Sequence, residues 1–211
     1  MTEIDIREAL RRPARYWNCD GLPLLAMGMV WILWGSGLLV AEMAEGYWRL
    51  AVLPLTIICL GAAFSVNPVI KRIKERITEP RTGAMQLREE VHLPAMVVAF
   101  STSLALAALM AVIRMGMLGQ LSKVLPCLLG LVIGGGSVYA ARRCQLRSYS
   151  TVGLLALAAG IGVTLFGPAF PASIGAFIVL YGLASALCGA LDLRSYLRAH
   201  PQPAGAVETQ S

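Results

Sequence analysis

Residues 21–41 read GLPLLAMGMVWILWGSGLLVA, an unbroken run of 21 positions without a charged side chain. A helix rises 1.5 Å per residue, so ~20 residues cross a hydrocarbon core ~30 Å thick, and this run alone is long enough to span a bilayer. Five more stretches of the same kind follow: Trp48–Asn67, Leu93–Ile113, Val124–Ala141, Thr151–Gly167 and Ala172–Leu191. Apart from Arg49 at the edge of the second, none contains a charge. The predicted fold class is therefore all-α, a polytopic bundle of six transmembrane helices. Residues 1–20 form an interfacial segment, 21–191 the membrane domain with one long loop at 68–92, and 192–211 a polar tail expected to be largely disordered.

Composition points the same way. Hydrophobic residues make up 57% of the 211, charged residues 14%, and mean hydropathy is +0.67, whereas soluble domains carry ~25% charged residues. Six spans and their connectors leave no room for a soluble catalytic domain. The first apolar run is longer than the ~7–15 residues of a signal-peptide core, and it reads as a retained helix.

Charge fixes the expected orientation. Arg7, Arg11, Arg12 and Arg15 precede the first span; Lys71, Arg72, Lys74, Arg76, Arg81 and Arg88 lie between spans two and three; Arg142, Arg143 and Arg147 follow span four; Arg194 and Arg198 follow span six. The alternate side receives Arg49, Arg114 and Lys123. Fifteen of the 18 basic residues thus fall on one side, which the positive-inside rule assigns to the cytoplasm together with both termini. The net charge of +6 is accounted for by orientation and anionic headgroups, with no need of nucleic acid as a partner.

Between Thr2 and Arg15, Ile6 and Leu10 share a helical face flanked by Arg7 and Arg11, and Tyr16 and Trp17 follow at headgroup level; this predicts an interfacial helix and an aromatic anchor. Asp20 is the expected N-cap of span one, with Pro23 in its first turn. Asn67-Pro68 reads as a cap followed by proline at a first helical position, so a new helix is expected there. Its apolar stripe would be Val69, Ile70, Ile73 and Ile77, and its basic residues Lys71, Arg72, Lys74 and Arg76 would face anionic headgroups. The turn Pro80-Arg81-Thr82-Gly83 then presents a candidate interaction loop, whose alternative reading is a purely structural chain reversal.

Glycine spacing is the clearest pattern inside the spans. Gly21, Gly28 and Gly35 recur every seven residues, as do Gly153, Gly160 and Gly167, and again Gly175, Gly182 and Gly189; span four adds Gly130 and Gly134. Seven residues drift only ~20° around a helix, so each set lies on one face where helices can pack closely. Self-association through such a face is the alternative. Polar residues within spans are few. Ser101, Thr102 and Ser103 are the candidate solute pathway, although Ser and Thr in membrane helices more often bond their own backbone. Pro54 and Pro126 are expected to kink spans two and four.

No span holds a buried carboxylate, His or Lys of the kind coupled carriers use, and no nucleophile–base set or nucleotide loop is present. The five cysteines lack metal or CxxC spacing, and His92 and His200 are isolated. No enzyme activity, cofactor or metal is expected. The run Lys74-Glu75-Arg76-Ile77-Thr78-Glu79-Pro80-Arg81-Thr82-Gly83 resembles a loop of uncharacterised bacterial multi-pass membrane proteins, in which Lys-x-Arg-aliphatic-Thr-x-Pro-Arg-Thr-Gly follows a transmembrane hairpin; Ala84 stands here where those proteins often have Tyr. The resemblance implies a bacterial inner-membrane setting and no activity. Function is expected to lie in association, as an accessory subunit or a homo-oligomer. Transport of a neutral or anionic solute is the alternative, and an intramembrane enzyme acting on lipid a more distant one.

Overall fold

The computed structural model describes residues 18–43, 52–77 and 121–201. They form five helices: α1 (Leu22–Met43), α2 (Val52–Ile77), α3 (Leu121–Cys144), α4 (Arg147–Phe166) and α5 (Ala172–Ala199). No strand occurs among the described residues, as expected where lipid offers backbone groups no partners and helices satisfy them internally. Four helices, α1, α3, α4 and α5, are long and apolar enough to cross a membrane. The stretch Leu93–Ile113 lies outside the described residues, as do residues 1–17 of the amino-terminal interfacial segment.

Helix α5 is the hub, packing on α1, α4 and α3, while α1 also carries α2 and α4 carries α3. Phe177, Ile174 and Ile178 of α5 meet Leu125 of α3 and Val163 of α4 in the core, with Trp31, Trp34 and Leu38 of α1 packed against them. Large apolar side chains cover the outside: Leu33, Val40, Val132, Leu154 and Leu187 are each more than 60% exposed. In water such a surface would drive aggregation; against lipid tails it costs nothing.

Contacts between helices fix their directions. Gly21 meets Gly189 and Gly35 meets Gly175, so α1 and α5 run antiparallel. Lys74 reaches Asp20 and Thr56 reaches Trp34, so α2 also runs against α1. The α3–α4 turn carries Gln145 at φ 55, and Tyr149 at the start of α4 bonds Asn18. One end of the bundle, the base, therefore gathers Asn18, Lys74, Tyr149 and Gly189. The opposite end holds Met43, Val52, Leu121 and the Gly167–Pro171 turn.

Two expectations require correction. No new helix starts at Asn67-Pro68: α2 is continuous from Val52 to Ile77 with Pro68 inside it. An interior proline removes one backbone hydrogen bond and costs ~3 kcal/mol. The residues beyond Pro68 offset that cost, because Ile70 is buried at 2% exposure and Lys74, one turn later on the same face, is paired. Pro54, expected to kink its span, falls in the first turn of α2, where its missing N–H has no intrahelical carbonyl to lose. Pro126 does lie inside α3 and is fully buried.

Candidate functional site

At the base, the chain makes a sharp entrance into α1. Gly21 has φ +70°, a left-handed conformation that costs glycine little. A Cβ at this position would also lie 2.5 Å from the Gly189 carbonyl oxygen. Glycine is thus required there twice over. The turn directs Asp20 inward, where its Oδ1 accepts the Leu22 N–H at 3.2 Å and its Oδ2 lies 3.0 Å from the Lys74 ammonium. Side-chain exposure is 0% for Asp20 and 6% for Lys74. The expected N-cap role falls to Gly21, whose carbonyl accepts the Leu25 N–H; Asp20, one residue earlier, bonds the Leu22 N–H at the helix start, and its second oxygen ties α2 to α1.

A second polar bond closes the same end. The Tyr149 hydroxyl donates to Asn18 Oδ1 at 2.8 Å, joining α4 to the segment ahead of α1. Two side-chain contacts far apart in sequence therefore hold three helices around the amino end of α1. Buried polar groups of this kind cost stability when unpaired and specify geometry when paired.

Around this buried pair the surface is basic. Lys71, Arg72, Arg76, Arg142, Arg147, Arg194 and Arg198 are all exposed at the base end of their helices. Lys74 departs from the expected pattern, because it faces Asp20 and not the surroundings. The stripe beside it is also split: Ile70 is buried, Ile73 half-buried and Val69 51% exposed. The loop Pro80–Gly83 and the pathway residues Ser101, Thr102 and Ser103 lie outside the described residues.

The glycines of α1 and α5 meet in register, Gly21 with Gly189, Gly28 with Gly182 and Gly35 with Gly175. A Cβ on Gly28 would stand 2.8 Å from the Gly182 carbonyl oxygen, and one on Gly182 2.7 Å from the Ile32 nitrogen. Between α3 and α4, a Cβ on Gly134 would stand 2.7 Å from the Gly153 oxygen, and one on Gly130 3.0 Å from the Gly160 Cα. Gly167 departs from its set: it ends α4, donating its N–H to Val163 at 2.9 Å, and is exposed. Gly61, Gly135, Gly136 and Gly162 have open space where a Cβ would be.

Midway along the bundle, Trp31 stacks at a tilt on Trp34 (5.4 Å) and edge-on to Tyr181 (5.9 Å), which lies parallel to Phe177 at 6.5 Å. These are favourable aromatic separations. Trp34 Nε1 donates to Thr56 Oγ1 at 3.2 Å, giving its N–H a partner in α2. No role is assigned to Thr56, Tyr181, Trp31 or Trp34 from the sequence alone. The i, i+3 spacing of the two tryptophans is the one signal that points to this cluster. Among the described residues no group of three His, Cys, Asp or Glu side chains is placed to hold a metal, and Cys19, Cys59, Cys127 and Cys188 form no disulfide.

No family model, curated protein or solved structure matches this chain.

Proposed function

We propose that this chain is a six-span protein of the bacterial inner membrane that acts by association and not by catalysis, as an accessory subunit or homo-oligomer, through the basic face at its base. The observation that carries this reading is the pinned end of α2. The Asp20–Lys74 pair is buried while Lys71, Arg72 and Arg76 remain exposed on the same helix end, near Arg142, Arg147, Arg194 and Arg198. A fixed cationic surface of that size suits anionic headgroups or an acidic protein face, each basic group contributing about 1 kcal/mol near an anionic surface.

Chain direction supports the six-span count. Ile77 ends α2 at the base, whereas Leu121 begins α3 at the opposite end. The chain between them has to pass from one end to the other, and Leu93–Ile113 is the apolar stretch suited to do so. With the base as the basic side, the positive-inside rule puts it in the cytoplasm.

Co-purification from native membranes tests the proposal. The wild-type chain should retain a second copy or a partner, and a triple charge reversal (Arg72→Glu, Arg142→Glu, Arg198→Glu) should release it at unchanged yield. Retention by the triple variant would refute the basic face as the associating surface. Solute flux in proteoliposomes unchanged by the triple variant would move the reading to the transporter class.

A further inference from the structure

Helix α3 has three sides, and only two of them have a described neighbour. Gly130 and Gly134 lie against α4, and Leu125, Leu129 and Ile133 pack into the core with α5. On the third side Val124, Leu128, Leu131 and Gly135 follow one another at the 3–4 spacing of a single helix face. All four are exposed, and a Cβ on Gly135 would meet open space. Lipid tails can cover an apolar face of this kind, so the path of the chain decides whether something else does.

That path runs from Ile77, at the base end of α2, to Leu121, at the opposite end of the bundle. Within residues 78–120 the apolar stretch Leu93–Ile113 is the one long enough to cross. Its connectors are unequal: 15 residues precede it (78–92) and 7 follow it (114–120). Helix–helix connections in bundles run ~2–8 residues, and short ones join antiparallel neighbours. The short connector therefore tethers the stretch to α3 rather than to α2, and α3 has one side open to receive it. The residues of the stretch suit that side. Ala95, Ala99, Ser103, Ala107 and Ala111 recur every four positions, a row of small side chains along one helix. Rows of that kind let membrane helices approach closely, and the larger Leu128 and Leu131 of α3 can fill the space they leave. With Ile113 level with Leu121, antiparallel packing sets Ser103 against Leu131 and Ala99 against Gly135.

We propose that Leu93–Ile113 is seated along the open face of α3 through its row of small residues. The proposal rests on the six-span reading and adds to it the seat of the third span. It also places Ser103 in a helix contact, which removes that hydroxyl from the candidate solute pathway.

The test is disulfide trapping in native membranes, with Cys19, Cys59, Cys127, Cys144 and Cys188 replaced by Ala in the otherwise unaltered chain. A disulfide needs Cα atoms within about 7 Å of each other. Ala99→Cys with Gly135→Cys, and Ser103→Cys with Leu131→Cys, should crosslink within one chain on mild oxidation, read as lost maleimide labelling at monomer mobility. Ala99→Cys paired with Ala62→Cys on α2, or with Leu154→Cys on α4, should stay labelled. The positions chosen on α2, α3 and α4 are all exposed, so cysteine fits there without repacking. Single cysteines, Ala84→Cys and Gly116→Cys, separate the two readings, because the six-span count requires them to label from opposite sides. Labelling of both from one side overturns the six-span count and the seat with it. Labelling from opposite sides while neither α3 pair crosslinks overturns the seat alone. Crosslinking to Ala62→Cys would move the stretch to α2, and a disulfide-linked dimer of Gly135→Cys alone would give the face to a second copy; either overturns the proposal.

Discussion

Replacing Lys74 by Met removes the ammonium 3.0 Å from Asp20 and leaves a carboxylate at 0% exposure without its cation, although the Leu22 N–H still bonds it. Breaking a buried ion pair from one side costs about 3–5 kcal/mol, because the surviving charge is stranded away from water. For a chain of this size, 1 kcal/mol corresponds to about 2–4 °C, so the unfolding temperature in detergent should fall by about 6–20 °C. Asp20→Asn should cost less, about 1–3 kcal/mol: Asn caps a helix as well as Asp does, and a lysine one turn from the end of α2 can extend its stem toward polar surroundings. The double variant should recover most of the loss and unfold within about 1 kcal/mol of wild type, since a methionine beside a neutral amide strands no charge. The coupling between the two sites would then exceed about 2 kcal/mol, which neighbouring but non-interacting residues do not show. Thermal unfolding of the four proteins at matched detergent and salt measures it. If Lys74→Met unfolds within about 0.5 kcal/mol of wild type, or if the double variant loses the sum of both singles, the pair does not hold α2 to α1 and the pinned basic face loses its support.

Gly182→Leu and Gly160→Leu should each lower the yield of folded protein sharply, because backbone atoms of the facing helix lie within 3.0 Å of where a Cβ would stand at both positions; Gly136→Ala, with open space there, should be neutral or stabilising by up to about 1 kcal/mol, and equal behaviour of all three would sink the close-packing argument. Trp34→Phe should cost about 0.5–1.5 kcal/mol through the lost bond to Thr56, and an undiminished unfolding temperature would show that bond to be idle. Single cysteines introduced near positions 5, 85 and 205 should label from the cytoplasmic side and one near 45 from the outside; labelling of the 45 site from the cytoplasm alone would overturn the orientation.

Much of the fold can be read from the sequence because membrane helices are governed by length and apolarity, both local properties. The limits of α5 illustrate where that fails. Its apolar stretch ends at Leu191, yet the helix continues to Ala199, since Asp192 and Arg194 end favourable burial in lipid without ending favourable helix hydrogen bonding. The false boundary at Pro68 has the same origin. Asn-Pro is a local boundary signal, whereas Ile70 and Lys74 hold α2 together through contacts with another helix. Asp20 and Lys74 are 54 positions apart, and nothing in their spacing reveals the pair.

The heptad glycines carry more information than closeness alone. In α1 and α5 the pairs Gly21–Gly189, Gly28–Gly182 and Gly35–Gly175 step by seven residues in opposite directions along antiparallel helices. Shifting α5 by a single residue would break all three pairs together and set larger side chains against the Gly positions of α1. Register is thereby specified over two full heptads, at positions where apolar side chains alone would tolerate sliding. At the base end that register also places Asp192 and Leu193 of α5 against Gly21, beside the turn that directs Asp20 to Lys74. The glycine pattern legible in the sequence and the ion pair hidden from it are consequently linked. Close packing of α1 on α5 sets where the Gly21 turn sits, and the turn sets where α2 can be tied. Opening the α1–α5 contact should therefore loosen α2 as well.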